Sequence, residues 1–275
     1  MENTEHKRRK HYSGKYPKHF EEKYKEHQPE RYAETIEHVI EKGNTPAGMH
    51  ISICVKEILE VLNIKPGERG LDCTFGYGGH TEAMLKVLLG EGHITSLDID
   101  PIESTKTIAR LRQAGYGEDI LNLRNINFKD IDLVAAESGP FDFVLADLGV
   151  SSMQIDDPER GFSYKVSGPL DLRMNPDAGE PASERLKKLS KDDLIGMLTE
   201  NADEPYAVEI ASAIVKARKS GKSIERTEDL RAIIEESLDF LPAKPAANKK
   251  EVIKKSCQRT FQAIRIDVNQ EFESL

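Results

Sequence analysis

The chain has 275 residues, enough for one large domain or two unequal ones. Its 38% hydrophobic and 32% charged residues describe a soluble globular protein with room for a core, and the net charge of −9 argues against indiscriminate nucleic-acid binding. No stretch approaches the ~18 consecutive apolar residues of a membrane span, the N-terminus lacks the apolar segment of a secretory signal, and three scattered cysteines (Cys54, Cys73, Cys257) exclude a disulfide scaffold or zinc knuckle and fit a reducing cytoplasm.

Residues 1–45 form a basic N-terminal extension. Within its first 20 residues Lys7, Arg8, Arg9, Lys10, Lys15 and Lys18 stand against Glu2 and Glu5, with Tyr12, Tyr16 and Phe20 interleaved. Such a stretch is either a solvated tail or an arm that neutralises RNA phosphates and stacks on bases.

Residues 46–152 alternate between helix and strand. Val55, Ile58, Leu59 and Leu62 recur at helical spacing, and Pro66-Gly67 ends that helix. Strands are expected at Gly70–Phe75, Ile94–Asp98, Ile120–Asn125 and Phe141–Asp147, with helices at His80–Leu89 and Ile102–Gln113. Continuous apolar strands separated by helices predict a doubly wound parallel sheet covered on both faces. Residues 153–256 lose the alternation: 153–181 read as a long Asp/Pro/Gly/Arg-rich loop, and the rest as helices, one carrying Tyr206, Ile210, Ala213, Ile214 and Ala217 on a single face. Pro242 and Pro245 bracket a turn, and a last helix is expected over Arg259–Leu275, with 257–275 as a segment returning to the core.

The most informative segment of the first half is Asp72-Cys73-Thr74-Phe75-Gly76-Tyr77-Gly78-Gly79-His80. Glycines at a strand-to-helix turn let a ligand approach the backbone, and the helix N-terminus behind them favours a negative group. Asp98, 22 residues after Gly76, is placed to accept both hydroxyls of a ribose. A dinucleotide and S-adenosylmethionine (SAM) compete for this geometry. Counted from Gly76, the last glycine of Gly-x-Gly-x-x-Gly is replaced by Thr81, which favours SAM, a ligand that needs no pyrophosphate site. A merely structural turn is the remaining alternative. Asp72, Asp98 and Asp147 should face one crevice at the carboxyl ends of the strands. No obvious ligand set accompanies these three carboxylates, and no metal site is assigned.

The run Asp147-Leu148-Gly149-Val150-Ser151-Ser152-Met153-Gln154-Ile155-Asp156-Asp157-Pro158-Glu159-Arg160-Gly161-Phe162-Ser163 adds specificity. With Gly168-Pro169-Leu170-Asp171-Leu172-Arg173-Met174 and Arg259-Thr260-Phe261-Gln262-Ala263-Ile264-Arg265-Ile266, it resembles the RsmH (MraW) family. The resemblance runs from about Met49 to Leu275. It implies a SAM-dependent methyltransferase acting on the exocyclic N4 of a cytidine in 16S rRNA of the small ribosomal subunit, in the cytoplasm. The implied fold is α/β, a Rossmann-like class I methyltransferase core with an inserted all-α domain. The implied cofactor contacts are Gly78, Gly79, His80, Asp98, Phe128 (beside the adenine), Asp147 and Gln154. The same Asp147 is the catalytic candidate, because an amino group whose lone pair is delocalised into the ring must be oriented and must lose a proton.

Four departures accompany the likeness. His50-Ile51-Ser52-Ile53-Cys54-Val55 and Lys255-Ser256-Cys257-Gln258 replace the family's usual residues, and the basic extension precedes them; together they suggest a divergent paralogous branch. The family also continues past Leu275 into further strands, so the resemblance implies either a chain truncated at the C-terminus, the favoured reading, or a branch that has lost its closing strands. Alternatives are a SAM enzyme for another RNA or a small molecule, or an inactive SAM- or RNA-binding fragment. A homodimer stays open as a partner. Arg160 and Arg173 are read either as parts of a salt-bridged loop with Asp156, Asp157 and Asp171 or as phosphate grips. Lys216, Arg218, Lys219 and Lys222 are either a phosphate-tracking patch or a solvated helix end.

Overall fold

The computed structural model describes residues 52–242 and 246–275. The basic extension and Pro245 lie outside the described residues. The first elements are helix α1 (Val55–Leu62), strand β1 (Arg69–Asp72), α2 (Gly79–Leu88), β2 (His93–Leu97), α3 (Pro101–Gln113), β3 (Leu121–Arg124), a 3-10 turn at Phe128–Asp130, α4 (Ile131–Ser138) and β4 (Phe143–Leu145). The four strands are parallel and ordered β3-β2-β1-β4. This is the Rossmann-like α/β arrangement, and the helices follow from the same apolar pattern. Ile94, Leu121 and Phe143 bury against Met84, Leu85, Leu88 of α2 and Leu111 of α3. Leu71 and Leu97, on the other face, bury with Val134 of α4, and Phe128 lies partly buried against them.

The covered-sheet expectation fails at one edge. Strand β4 pairs only with β1 among the described residues, and Val144 is 48% exposed. Strand boundaries also contract: β1 and β4 end at Asp72 and Leu145, before Phe75 and Asp147, because the chain leaves the ladder to form the loops at the carboxyl end of the sheet.

The segment expected as a long loop contains two short turns, α5 (Ser152–Asp156) and a 3-10 turn at Pro158–Arg160. The first is started by a reciprocal cap: Ser151 Oγ accepts from Gln154 N, and Gln154 Oε1 accepts from Ser151 N. Then come α6 (Ala182–Lys188), α7 (Lys191–Ala202), α8 (Ala207–Lys219), α9 (Thr227–Ser237) and α10 (Ala246–Asn269). The final helix therefore starts at Ala246 and not at Arg259, and the expected boundary between 256 and 257 falls inside it. Ile210, Ile214 and Ala217 of α8 are buried and Tyr206 and Ala213 partly so, within one cluster that includes Leu186, Leu194, Leu198, Leu230, Ile234, Phe261 and Ile264. At ~1.5–3 kcal/mol per fully buried large aliphatic or aromatic side chain, this second apolar cluster is a major stabilising term for the helical region.

Candidate active site

The strand register brings the acids together. Asp72 is the partner of Ser96 on β2 and of Leu145 on β4. Asp98 and Asp147 each lie two residues beyond those partners, so both stand at the carboxyl end of the sheet, flanking the loop that follows Asp72. Hydrogen bonds stitch the three segments: Cys73 N–H donates to Leu145 O at 2.8 Å, Phe75 N–H to Leu97 O at 2.9 Å, Asp147 N–H to Thr74 Oγ1 at 2.7 Å, and Gly76 N–H to Asp98 Oδ2 at 2.6 Å. Asp72 itself is buried. Its Oδ2 accepts from Thr81 Oγ1 at 2.5 Å and its Oδ1 from Thr74 N at 3.0 Å. Burial raises its pKa above the usual carboxylate value, against those hydrogen bonds and the nearby His80. Asp72 therefore braces the turn from below.

The turn needs its glycines. Gly78 has φ 67°, the left-handed region, and a Cβ there would lie 2.8 Å from Thr107 Cγ2 and 3.1 Å from Leu111 Cδ1. A Cβ on Gly79 would collide with Ser52 Oγ. Gly79 opens α2, so the helix's free N–H groups face the turn. Thr107 Oγ1 donates to Gly76 O at 2.8 Å, and Tyr77 OH to Glu103 Oε2 at 2.6 Å, fixing the loop to α3. His80, only 7% exposed, has a buried Nε2 with no aligned hydrogen bond; it lies 3.4 Å from Oδ2 of the half-exposed Asp147.

Asp98 uses both carboxylate oxygens on backbone: Oδ2 on Gly76 N–H and Oδ1 on Asp100 N–H at 2.8 Å. Burial pushes its pKa up to about 6, with Asp100 and Asp72 adding to the rise and the two N–H groups opposing it. Phe128 sits just past β3, beyond the tip next to Asp98. Gln154 donates from Nε2 to Asp100 Oδ2 at 2.7 Å. The structure thus gathers Gly78, Gly79, His80, Asp98 and Asp147 around one turn. Gln154 joins them through Asp100, a residue the sequence reading did not select. Its signal was available: an Asp directly before Pro101 is a helix N-cap followed by an N1 proline.

Two open choices in the loop are resolved. Arg160 is buried, with Nη1 on Asp100 Oδ2 at 2.9 Å and Nη2 on Met174 O at 2.8 Å. Arg173 holds Asp171 with both Nε and Nη2. Arg173 thus joins the salt bridge expected within the loop, whereas Arg160 pairs outside it, with Asp100 in place of Asp156 or Asp157. In the helical region Arg218 turns inward, donating to the carbonyls of Leu186 and Leu189, while Lys216, Lys219 and Lys222 remain exposed.

A parallel sheet with a glycine turn after its first strand and an acid after its second defines a nucleotide-type α/β enzyme site. Residues 47–275 match the MraW methylase family, and the chain belongs to this family of SAM-dependent methyltransferases. It is 65% identical over 274 residues to "Ribosomal RNA small subunit methyltransferase H 1" of Agathobacter rectalis, covering 100% of this chain and 78% of that protein. It is 57% identical over 277 residues to "Ribosomal RNA small subunit methyltransferase H 2" of Alkaliphilus metalliredigens, again with 100% and 78% covered. "Ribosomal RNA small subunit methyltransferase H" of Thioalkalivibrio sulfidiphilus is 38% identical over 234 residues, covering 84% of this chain and 70% of that protein. In the first two the match includes the basic extension.

Proposed function

We propose that this protein transfers a methyl group from SAM to the exocyclic N4 of a cytidine in 16S rRNA of the small ribosomal subunit, in the cytoplasm. The observation that carries it is the placing of Asp98 and half-exposed Asp147 on either side of the glycine turn, in a chain whose close relatives are named as small-subunit rRNA methyltransferases.

The residues fit the cofactor. Gly78 and Gly79 leave no side chain over the turn, the buried His80 Nε2 has hydrogen-bonding capacity to spare, and Asp98 retains lone pairs for ribose hydroxyls. Gln154 keeps a second Nε2 hydrogen for the ligand, and Phe128 offers a ring for the adenine. When bound, SAM supplies an electrophilic methyl carbon on a sulfonium. The protein must then present the amino nitrogen in line and remove its proton. Asp147 is the acceptor in this assignment: its carboxylate is solvent-accessible and stands on the loop that leaves β4 at the crevice. An N–H···O bond to Asp147 orients the amino group and draws its lone pair out of conjugation as the new C–N bond forms. The basic extension is assigned to rRNA phosphate, and a homodimer is compatible with the same chemistry.

The test is nucleoside mass spectrometry of 16S rRNA from cells with and without the gene, together with transfer of labelled methyl from SAM to isolated small subunits. N4-methylcytidine that disappears with the gene is expected. Unchanged nucleoside profiles with no label on the subunit would overturn the assignment.

A further inference from the structure

The loop after α5 and the tip of β2 share one buried ion pair that methyl transfer itself does not require. We infer that Arg160 is a positioning residue, one that makes completion of the cofactor crevice depend on the seating of segment 157–174. The inference rests on the SAM site proposed above.

A chain of direct bonds runs between the two regions. Asp98, at the ribose position, accepts Asp100 N–H at 2.8 Å. The Asp100 side chain then divides its work. Oδ1 caps α3, accepting from Ile102 N and Glu103 N, while Oδ2 accepts from both Gln154 Nε2 and Arg160 Nη1. From Arg160 the path continues to the carbonyls of Met174 at 2.8 Å and Arg173 at 3.2 Å, and Arg160 O accepts Leu172 N–H at 3.1 Å. Asn269, at the end of α10, closes the other side: its Oδ1 accepts Met174 N–H and its Nδ2 donates to Leu172 O, each at 2.7 Å. The Arg160 guanidinium also lies 5.5 Å from the centre of the Phe162 ring.

Asp100 is 1% and Arg160 6% exposed. A pair this buried loses much of its Coulomb gain to desolvation, so stability alone is a weak reason for it; a fixed geometry is the return inferred here. Here the geometry fixed is that of Asp98 and Gln154, two cofactor candidates held by one residue, Asp98 through the Asp100 backbone N–H and Gln154 through the Asp100 carboxylate. If seating of 157–174 favours the cofactor-competent crevice, linkage requires the cofactor to favour seating in return.

Asp100→Asn tests this in the full-length chain. Asparagine still caps α3, but turns N–H donors toward Gln154 and Arg160. S-adenosylhomocysteine affinity by calorimetry, KM for SAM and for small subunits, and hydrogen exchange across 157–174 are the readouts. The variant should bind S-adenosylhomocysteine about tenfold more weakly, raising KM for SAM more than KM for subunits. The ligand should slow exchange in 157–174 of the wild type and fail to do so in the variant. A folded D100N with affinity within twofold of wild type and intact ligand-dependent protection would overturn the inference. Should D100N not fold, Arg160→Lys decides by the same criteria, since lysine keeps the charge beside Asp100 and cannot reproduce the fork to Arg173 and Met174. Wild-type protein that binds no S-adenosylhomocysteine would instead remove the cofactor assignment beneath it.

Discussion

Asp98 accepts the N–H of Gly76 at 2.6 Å, so a single carboxylate joins the tip of β2 to the glycine turn after β1. Burial pushes its pKa up to about 6. A ribose diol is best bound by the ionised form, so SAM affinity should rise with pH through about 6 and level off above it. Below that value the loss approaches tenfold per pH unit, the limit for one required ionisation. Calorimetry between pH 5 and 8 on wild type and Asp98→Asn checks this: the variant should bind more weakly at pH 8 and show a flatter profile. A wild-type affinity independent of pH would refute the role.

Stability responds in the opposite sense. Because the folded pKa of Asp98 lies above the unfolded value of 3.8, its contribution is fully present below pH 3.8 and is lost as pH rises through about 6. The stability of ligand-free wild type relative to Asp98→Asn should therefore increase as pH falls from 7 to 4, measured by urea unfolding at each pH.

Asp72 and Thr81 supply a second test, free of any ligand. The Thr81 hydroxyl is the shorter of two side-chain donors to a carboxyl group sealed under the turn, at 2.5 Å against 3.5 Å for Thr74 Oγ1. Thr81→Val keeps the shape and removes the donor, which should cost about 1–3 kcal/mol, the range for stranding a buried polar group. Equilibrium urea denaturation of the two proteins reads this directly, and a difference below about 0.5 kcal/mol would contradict the bracing role.

How far these features were legible in the sequence follows from the range of the forces involved. Apart from α4 (Ile131–Ser138), which the sequence did not lead us to expect, the order of strands and helices in 52–150 is written locally, in apolar runs such as Phe143–Leu145 broken by Gly and Pro. The Gly76–Gly79 turn with Asp98 downstream is a local spacing too. Arg160 was undecidable because its partner, Asp100, is 60 residues away and belongs to another element; composition cannot distinguish an arginine folded inward from one facing RNA. The first half of α10 was missed for a different reason. Its residues 246–256 are mostly polar or small, with Val252 and Ile253 the only large apolar side chains, so the helical period emerges only from Cys257 onward. The exposure of Val144 depends on what pairs with β4, a tertiary property that an apolar run alone cannot report.

Gly78→Ala separates backbone strain from crowding. The left-handed φ of 67° should cost about 1–2 kcal/mol for any Cβ, and the approach to Thr107 Cγ2 at 2.8 Å adds a steric part. Thr107→Ser removes that methyl while preserving the hydroxyl that donates to Gly76 O. In the T107S background, G78A should therefore be less destabilising than in wild type by urea unfolding, yet still clearly destabilising. Equal penalties in the two backgrounds would show that Thr107 is not the obstacle.

Asp147→Asn bears on the chemistry. Its backbone N–H, which donates to Thr74 Oγ1, is unaffected by the change, so the loop after β4 should keep its anchor to the turn. The asparagine amide can still contact the amino group but cannot take its proton. If Asp147 is the acceptor, single-turnover methyl transfer to small subunits should fall by about 10²–10⁴, the range for a positioned general base. S-adenosylhomocysteine affinity should change by less than tenfold, since Gly78, Gly79, His80 and Asp98 stay in place. A parallel loss of rate and cofactor affinity would assign Asp147 to binding alone. An unimpaired rate would exclude it from proton transfer and direct attention to His80, whose Nε2 lies 3.4 Å from the same carboxylate.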